Sequence, residues 1–271
     1  MFKEHAIKNG EIVKVEDALV NVTYREVQFS FSVYESISVV NSRAIFLEDH
    51  ITRLFKSCVG IKLRHPFRRS EIKKSIIELI KIDDIKEATM RILIIGGNNP
   101  QLFITYTDKL KYPTSYYSEG VSVTTYVGER LFPKFKTSNL LLSYIALEDA
   151  RSKGAFEAIL VDSQGYLLEG TRSNFYGFKH NKLYTAENDR VLEGITRTRI
   201  LEAAEDLGIE VVMRAPMLKE IRQSQFDEVF ISSTSMAAMP IKTLDEVSFD
   251  SDFKRTLKLM EIIREKEKHD R

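Results

Sequence analysis

Leu192-Glu-Gly-Ile-Thr-Arg-Thr-Arg has the clearest chemical outline in the chain. Gly194 marks a turn that opens directly into a helix. Such a turn exposes backbone N–H groups, Thr196 adds a hydroxyl, and a helix N-terminus favours an anion. This is a phosphate cradle in outline, and an ordinary capped helix has the same outline. Elsewhere the residues argue against several chemistries. The histidines His5, His50, His65, His180 and His269 form no HExxH pair and no zinc spacing, so no metal is expected. No G-x-S-x-G, P-loop or G-x-G-x-x-G occurs. Gly96-Gly97 reads as a hairpin turn. Cys58 lies on the apolar stripe of a helix and reads as a small core residue.

The elements around these residues alternate between strand and helix patterns, which predicts a mixed α/β protein. Glu11 to Val15, Ala18 to Val22 and Phe29 to Val40 read as strands, the last with Phe29, Phe31 and Val33 in period two. A helix is expected from about Glu48 to Val59, burying Ile51, Leu54, Phe55, Cys58 and Val59. A second starts at Ser70 as N-cap and buries Ile72, Ile76, Leu79 and Ile80. Strands at Arg91–Ile95 and Leu102–Tyr106 flank the Gly96 turn. The segment 112–120, with Pro113 and Gly120, reads as a linker between a domain over 1–111 and another over 121–271. In the second half a helix runs from Asn139 to Lys153. Strands follow at Ala158–Asp162, Tyr166–Glu169, Asn174–Phe178 and Leu183–Thr185. A helix over Thr196–Leu207, a strand at Asp227–Ser232 and a charged helix from about Asp252 complete the order.

The chain has 271 residues, 43% hydrophobic and 29% charged, so it can build a substantial core. A net charge of +1 gives no reason to expect a nucleic acid partner. Its single cysteine excludes an intramolecular disulfide. The opening residues hold no apolar core of a signal peptide, and the longest apolar runs, such as Ile92–Ile95, are far short of a membrane span. A cytoplasmic protein is expected.

Five segments in order resemble the class IV enzymes that depend on pyridoxal phosphate (PLP): branched-chain aminotransferases, D-amino acid aminotransferases and aminodeoxychorismate lyases. They are Val33-Tyr-Glu-Ser-Ile with Leu47-Glu-Asp-His-Ile-Thr-Arg-Leu; Phe135-Lys-Thr-Ser-Asn; Leu168-Glu-Gly-Thr-Arg-Ser-Asn-Phe; Leu192-Glu-Gly-Ile-Thr-Arg; and Ile231-Ser-Ser-Thr-Ser. The resemblance implies PLP fold type IV, with an N-terminal α/β domain and a C-terminal α/β pseudo-barrel. It implies that Lys136 carries the cofactor as a Schiff base and then acts as general base. It places Glu169 on the pyridine nitrogen and Leu192 against the ring. Arg53, Ile195, Thr196, Ser233 and Thr234 are implied phosphate ligands. By pattern alone Arg53 projects opposite the apolar stripe and reads as a solvated surface arginine. A homodimer is also implied.

The substrate side is less defined. The arginine and histidine of the D-specific enzymes are missing from Ile94-Ile-Gly-Gly-Asn-Asn-Pro, and Thr89 replaces the tyrosine of the branched-chain "Y-I-R". Tyr34, Ser36 and Arg91 are the substrate-side candidates. The expected reaction moves an amino group between an amino acid, with a branched-chain-like donor favoured, and a 2-oxo acid by a ping-pong cycle. An aminodeoxychorismate lyase releasing 4-aminobenzoate and pyruvate, and a PLP-binding homologue without turnover, are the alternatives.

Overall fold

The computed structural model describes residues 4–249 and 252–270. Residues 1–3, the first of those read for a leader, lie outside the described residues. The chain divides into two compact units, Met1–Lys111 with Phe135–Asn139, and Tyr112–Lys134 with Leu140–Arg271.

The first unit runs β1 (His5–Lys8), β2 (Glu11–Lys14), α1 (Arg25–Gln28), β3 (Ser32–Val40), β4 (Arg43–Ala44), α2 (Leu47–Gly60), α3 (Arg69–Ile82), β5 (Glu87–Ile95) and β6 (Gln101–Thr107). Its antiparallel sheet has the order β2-β1-β6-β5-β3-β4. The period-two pattern sends Val33, Ile37, Met90, Ile92 and Ile94 to one face, where they pack with Ile51, Leu54 and Cys58 of α2 and Ile72, Ile76 and Leu79 of α3. Each such fully buried side chain stabilises the unit by about 1.5–3 kcal/mol.

Three expectations are corrected here. Ala18–Val22 is not a strand: β2 pairs only with β1, and Leu19 and Val22 are left exposed. Val59 is 78% exposed, because one step beyond Cys58 turns it off the buried stripe. Helix α3 starts at Arg69, with Arg68 as N-cap and the Glu71 carboxylate accepting from the Arg68 N–H at 3.1 Å, so Ser70 lies inside the first turn.

Phe135–Asn139, which the sequence pattern places in the second half, packs on the first unit instead. It runs beside β3: Val33 bridges Thr137, the Tyr34 N–H donates to the Lys136 carbonyl, and the Ser138 N–H donates to the Ser32 carbonyl, each at 3.0 Å.

The second unit holds α4 (Ser115–Ser118), β7 (Val121–Val127), α5 (Leu141–Ser152), β8 (Glu157–Val161), β9 (Leu167–Gly170), β10 (Asn174–Lys179), β11 (Lys182–Thr185), α6 (Ile195–Asp206), β12 (Glu210–Met213), α7 (Leu218–Arg222), β13 (Glu228–Ser233), β14 (Ala237–Leu244), β15 (Val247–Ser248) and α8 (Lys254–His269). The circuit β10-β13-β14-β7-β8-β9 returns to β10, giving a closed, barrel-like sheet. The β14–β7 and β7–β8 pairs are parallel and the others antiparallel. Alternation again sorts the faces. Phe175, Val229 and Ile231 join one core cluster, while Tyr176, Phe178 and Phe230 pack with Ile200 of α6 and Leu259 and Ile263 of α8. Tyr112, Tyr116 and Tyr117, in the stretch read as a linker, pack against the first of these clusters. Among the described residues no helix is long and apolar enough to cross a membrane.

Candidate active site

In the first unit the site is built on the contact between β3 and α2. Glu35 is wholly buried and its carboxylate accepts from Arg53 Nε and Nη2, both at 2.7 Å, and from His50 Nδ1 at 2.8 Å. Burial alone would raise the Glu35 carboxyl. The Arg53 charge and hydrogen bonds, with those of His50, override it and hold the group well below the usual carboxylate range. Burial also pushes His50 below its ordinary value, so the imidazole is neutral. Since Nδ1 donates to a carboxylate, Nε2 is the unprotonated nitrogen, and it is buried without a hydrogen-bond partner. Arg53 is therefore an inward residue, 8% exposed, and not the solvated arginine its pattern suggests. A guanidinium can leave the surface here because a buried carboxylate waits for it.

Lys136 lies next to this network. Its backbone N–H donates to Ser57 Oγ at 3.0 Å, and its Nζ is 4.6 Å from the centre of the Tyr34 ring. The Arg91 guanidinium is 4.5 Å from the centre of the same ring. Register explains the grouping: Ser36 sits opposite Arg91 across β3 and β5, and Tyr34 opposite Leu93. The three substrate-side candidates thus share one sheet face, and the lysine segment runs beside them.

In the second unit the remaining candidates meet at one end of the barrel. Asn174 is the hub: it stands opposite Glu169 on β9 and opposite Ser232 on β13. Its side-chain amide donates to the Leu192 carbonyl at 2.9 Å, while the Leu192 N–H donates to Glu169 Oε2 at 3.2 Å. Gly194, whose Cβ if present would fall on Asn174 Oδ1, then leads into α6. No side chain caps α6 and its first turn holds no acidic residue, so its leading N–H groups, at Ile195 and Thr196, suit an anion. Ser233 ends β13 and begins the tight turn through Thr234, with Met236 N–H donating to the Ser233 carbonyl at 3.1 Å.

Two residues here were not legible as site residues. Arg130 Nη1 donates to Glu169 Oε1 at 3.2 Å, which orients the carboxylate with an opposite charge. Glu157 is fully buried and accepts from the Thr171 N–H and the Ser173 hydroxyl, both at 3.3 Å, securing the turn between Glu169 and Asn174. Burial raises its carboxyl. An Arg in a loop and a Glu on a strand pattern carry no mark of these duties. Away from these groups, Glu4, His5 and Asp83 bring three possible metal-ligand atoms within 4.8 Å, but Asp83 is occupied as acceptor for His5 and Tyr106.

Residues 32–244 match the family described as amino-transferase class IV. The chain belongs to this family. It is 31% identical to a D-alanine aminotransferase of Bacillus licheniformis, over 88% of this chain and 87% of the relative. It is 29% identical to a probable branched-chain-amino-acid aminotransferase of Rickettsia felis, over 91% and 90%. A crystal structure of a branched-chain aminotransferase from Thermoproteus uzoniensis with norvaline superposes with a TM-score of 0.86, at 25% identity, over 96% of this chain and 93% of that one. The protein is an aminotransferase of fold type IV, and its relatives favour amino transfer over the lyase and non-catalytic readings.

Proposed function

We propose that this aminotransferase binds PLP and moves an amino group from a branched-chain-like amino acid to a 2-oxo acid by a ping-pong cycle. The observation that carries the reading is the convergence, through Asn174, of Glu169, the Leu192–Gly194 turn, the start of α6 and the Ser233–Thr234 turn at one barrel end. A carboxylate facing a ring nitrogen, with main-chain N–H groups and hydroxyls for a phosphate, is the donor set a phosphorylated pyridine needs. When bound, the cofactor supplies an electron-withdrawing ring that weakens the bonds to the substrate Cα.

Each residue then has a task. Lys136 would hold the cofactor, and its amine would take the proton from the substrate Cα. Glu169 holds a proton on the pyridine nitrogen, and Arg130 keeps that carboxylate in place. Leu192 supports the ring. Arg53, Ile195, Thr196, Ser233 and Thr234 bind phosphate. Tyr34, Ser36 and Arg91 face the substrate. The row Tyr34–Leu93–Phe103 across β3, β5 and β6 is apolar, and the next row, Ser36–Arg91–Thr105, is polar. An aliphatic side chain beside a carboxylate would suit that face.

The test is a donor panel including both enantiomers, added to cofactor-loaded protein without any 2-oxo acid. Branched-chain donors should convert the bound cofactor to its amine form, read by its absorption change. No conversion with any donor would sink the reading. Gly194→Ala should weaken cofactor affinity about tenfold, the worth of one disturbed hydrogen bond at the Asn174–Leu192 contact. A titration showing unchanged affinity would dissociate that turn from the phosphate.

The reading includes a cytoplasmic homodimer. Leu131 and Phe132, and Leu141, Tyr144 and Ile145, are large apolar side chains left exposed in two short stretches of the second unit, which supports burial against a second copy. Sedimentation as a monomer at micromolar concentration would refute it.

A further inference from the structure

Helix α2 shows a polar row on its buried side. His50, Arg53 and Ser57 recur at helical spacing and are 1%, 8% and 1% exposed. His50 and Arg53 both hydrogen-bond the Glu35 carboxylate. Ser57 is committed elsewhere: its hydroxyl oxygen accepts the backbone N–H of Lys136 at 3.0 Å. One turn on, Gly60 lies under the ring of Phe135, so closely that a Cβ would stand inside it. The lysine segment is therefore held on two sides. One side is β3, through Tyr34 and Ser32; the other is α2, through Ser57 and Gly60.

We propose that Ser57 is a positioning residue for Lys136, with Gly60 providing the space for Phe135 that this placement needs. The inference rests on Lys136 being the cofactor lysine. A short bridge to β3 fixes the strand direction of the segment, but it leaves the segment hinged along that one edge. The Ser57 bond supplies a second attachment at the lysine's own amide. It sets where the side chain leaves the backbone, and with it the reach of Nζ. Displacing a reacting group by about 1 Å can cost on the order of a hundredfold in rate, so one backbone hydrogen bond can matter more here than its stability suggests.

The test pairs Ser57→Ala with Ser57→Thr in the full chain. In Ser57→Ala the Lys136 amide should exchange its hydrogen about tenfold faster, as expected for one lost hydrogen bond. The Tyr34 and Ser138 amides, held by other acceptors, should keep near wild-type rates. In the loaded enzyme kcat should fall about tenfold or more while KM changes little. Ser57→Thr retains the hydroxyl and should restore both readouts. Gly60→Ala, which displaces Phe135 from the other side, should lower kcat in the same way even if the threonine variant does not fold. Unchanged Lys136 exchange in Ser57→Ala overturns the proposal. So does a uniform rise in exchange across the first unit, or faster Lys136 exchange with unchanged kcat. Failure of the cofactor reading looks different: the cofactor would attach to another lysine, while the exchange result at the Lys136 amide would stand.

Discussion

Replacing Lys136 with alanine is expected to abolish turnover, with a loss of at least about 10⁴ in kcat/KM. Two functions disappear together. The covalent tether goes, and with it the group that takes the proton from the substrate Cα. General acid–base catalysis by a positioned side chain contributes about 10²–10⁴ on its own, and a lost tether adds to it. The immediate neighbours along the segment, Phe135, Thr137 and Ser138, carry no amine, Lys134 two positions earlier is exposed, and the nearby cation over the Tyr34 ring is an arginine. The measurement is direct. Borohydride reduction of the loaded wild type, followed by peptide mapping, should place the cofactor mass on Lys136, and the alanine variant should show no reduced adduct. Full activity in the variant, or an adduct on a different lysine, ends the reading.

Glu35→Gln is expected to be the most destabilising single change around the site. The carboxylate is wholly buried and serves a guanidinium and an imidazole at once. An amide keeps the shape but removes the charge that keeps Arg53 inside. Breaking a buried pair in this way costs about 3–5 kcal/mol. For a chain of this size that corresponds to a fall in melting temperature on the order of 10 °C. The dependence on pH has a definite sign. Glu35 is held below its ordinary value of 4.5, so its contribution is fully present above that value and fades as pH falls through the lower folded value. The gap between wild type and variant should therefore be full at neutral pH and shrink only below about pH 4.5. Thermal melts across that range decide it. An unchanged melting temperature at neutral pH would show that Arg53 is content without its partner.

The motifs that could be read from the chain are those whose residues act within a few positions of one another. Glu169, Leu192 and Thr196 each sit in a local pattern of turn, glycine and strand that resembles the family's, and the resemblance implies their roles. The strand-and-helix order was legible for the same reason, since periodicity is local. What was hidden depends on partners far away in sequence. Arg53 looks like a surface residue until Glu35 is brought to it by the packing of α2 on β3. Arg130 meets Glu169 from 39 positions away, and Ser57 meets Lys136 from 79. Ala18–Val22 failed in the opposite way. It has strand-forming residues, but propensity alone does not make a strand: although β2 leaves an edge open, the segment joins no sheet among the described residues and Leu19 and Val22 stay exposed.

The barrel closes through one register pair, Asn174 with Glu169. A hoop fastened by a single clasp opens at the clasp, and here the clasp is Glu169, proposed to face the ring, with Asn174, which bonds Leu192 beside it. Anything seated on Glu169 and the Leu192–Gly194 turn therefore also locks the hoop, by mass action on the closed state. With Glu169 on the ring as proposed, cofactor loading and barrel closure would be one equilibrium. A change at β9 or β10 meant to alter chemistry is at the same time a change at the register pair through which the barrel closes.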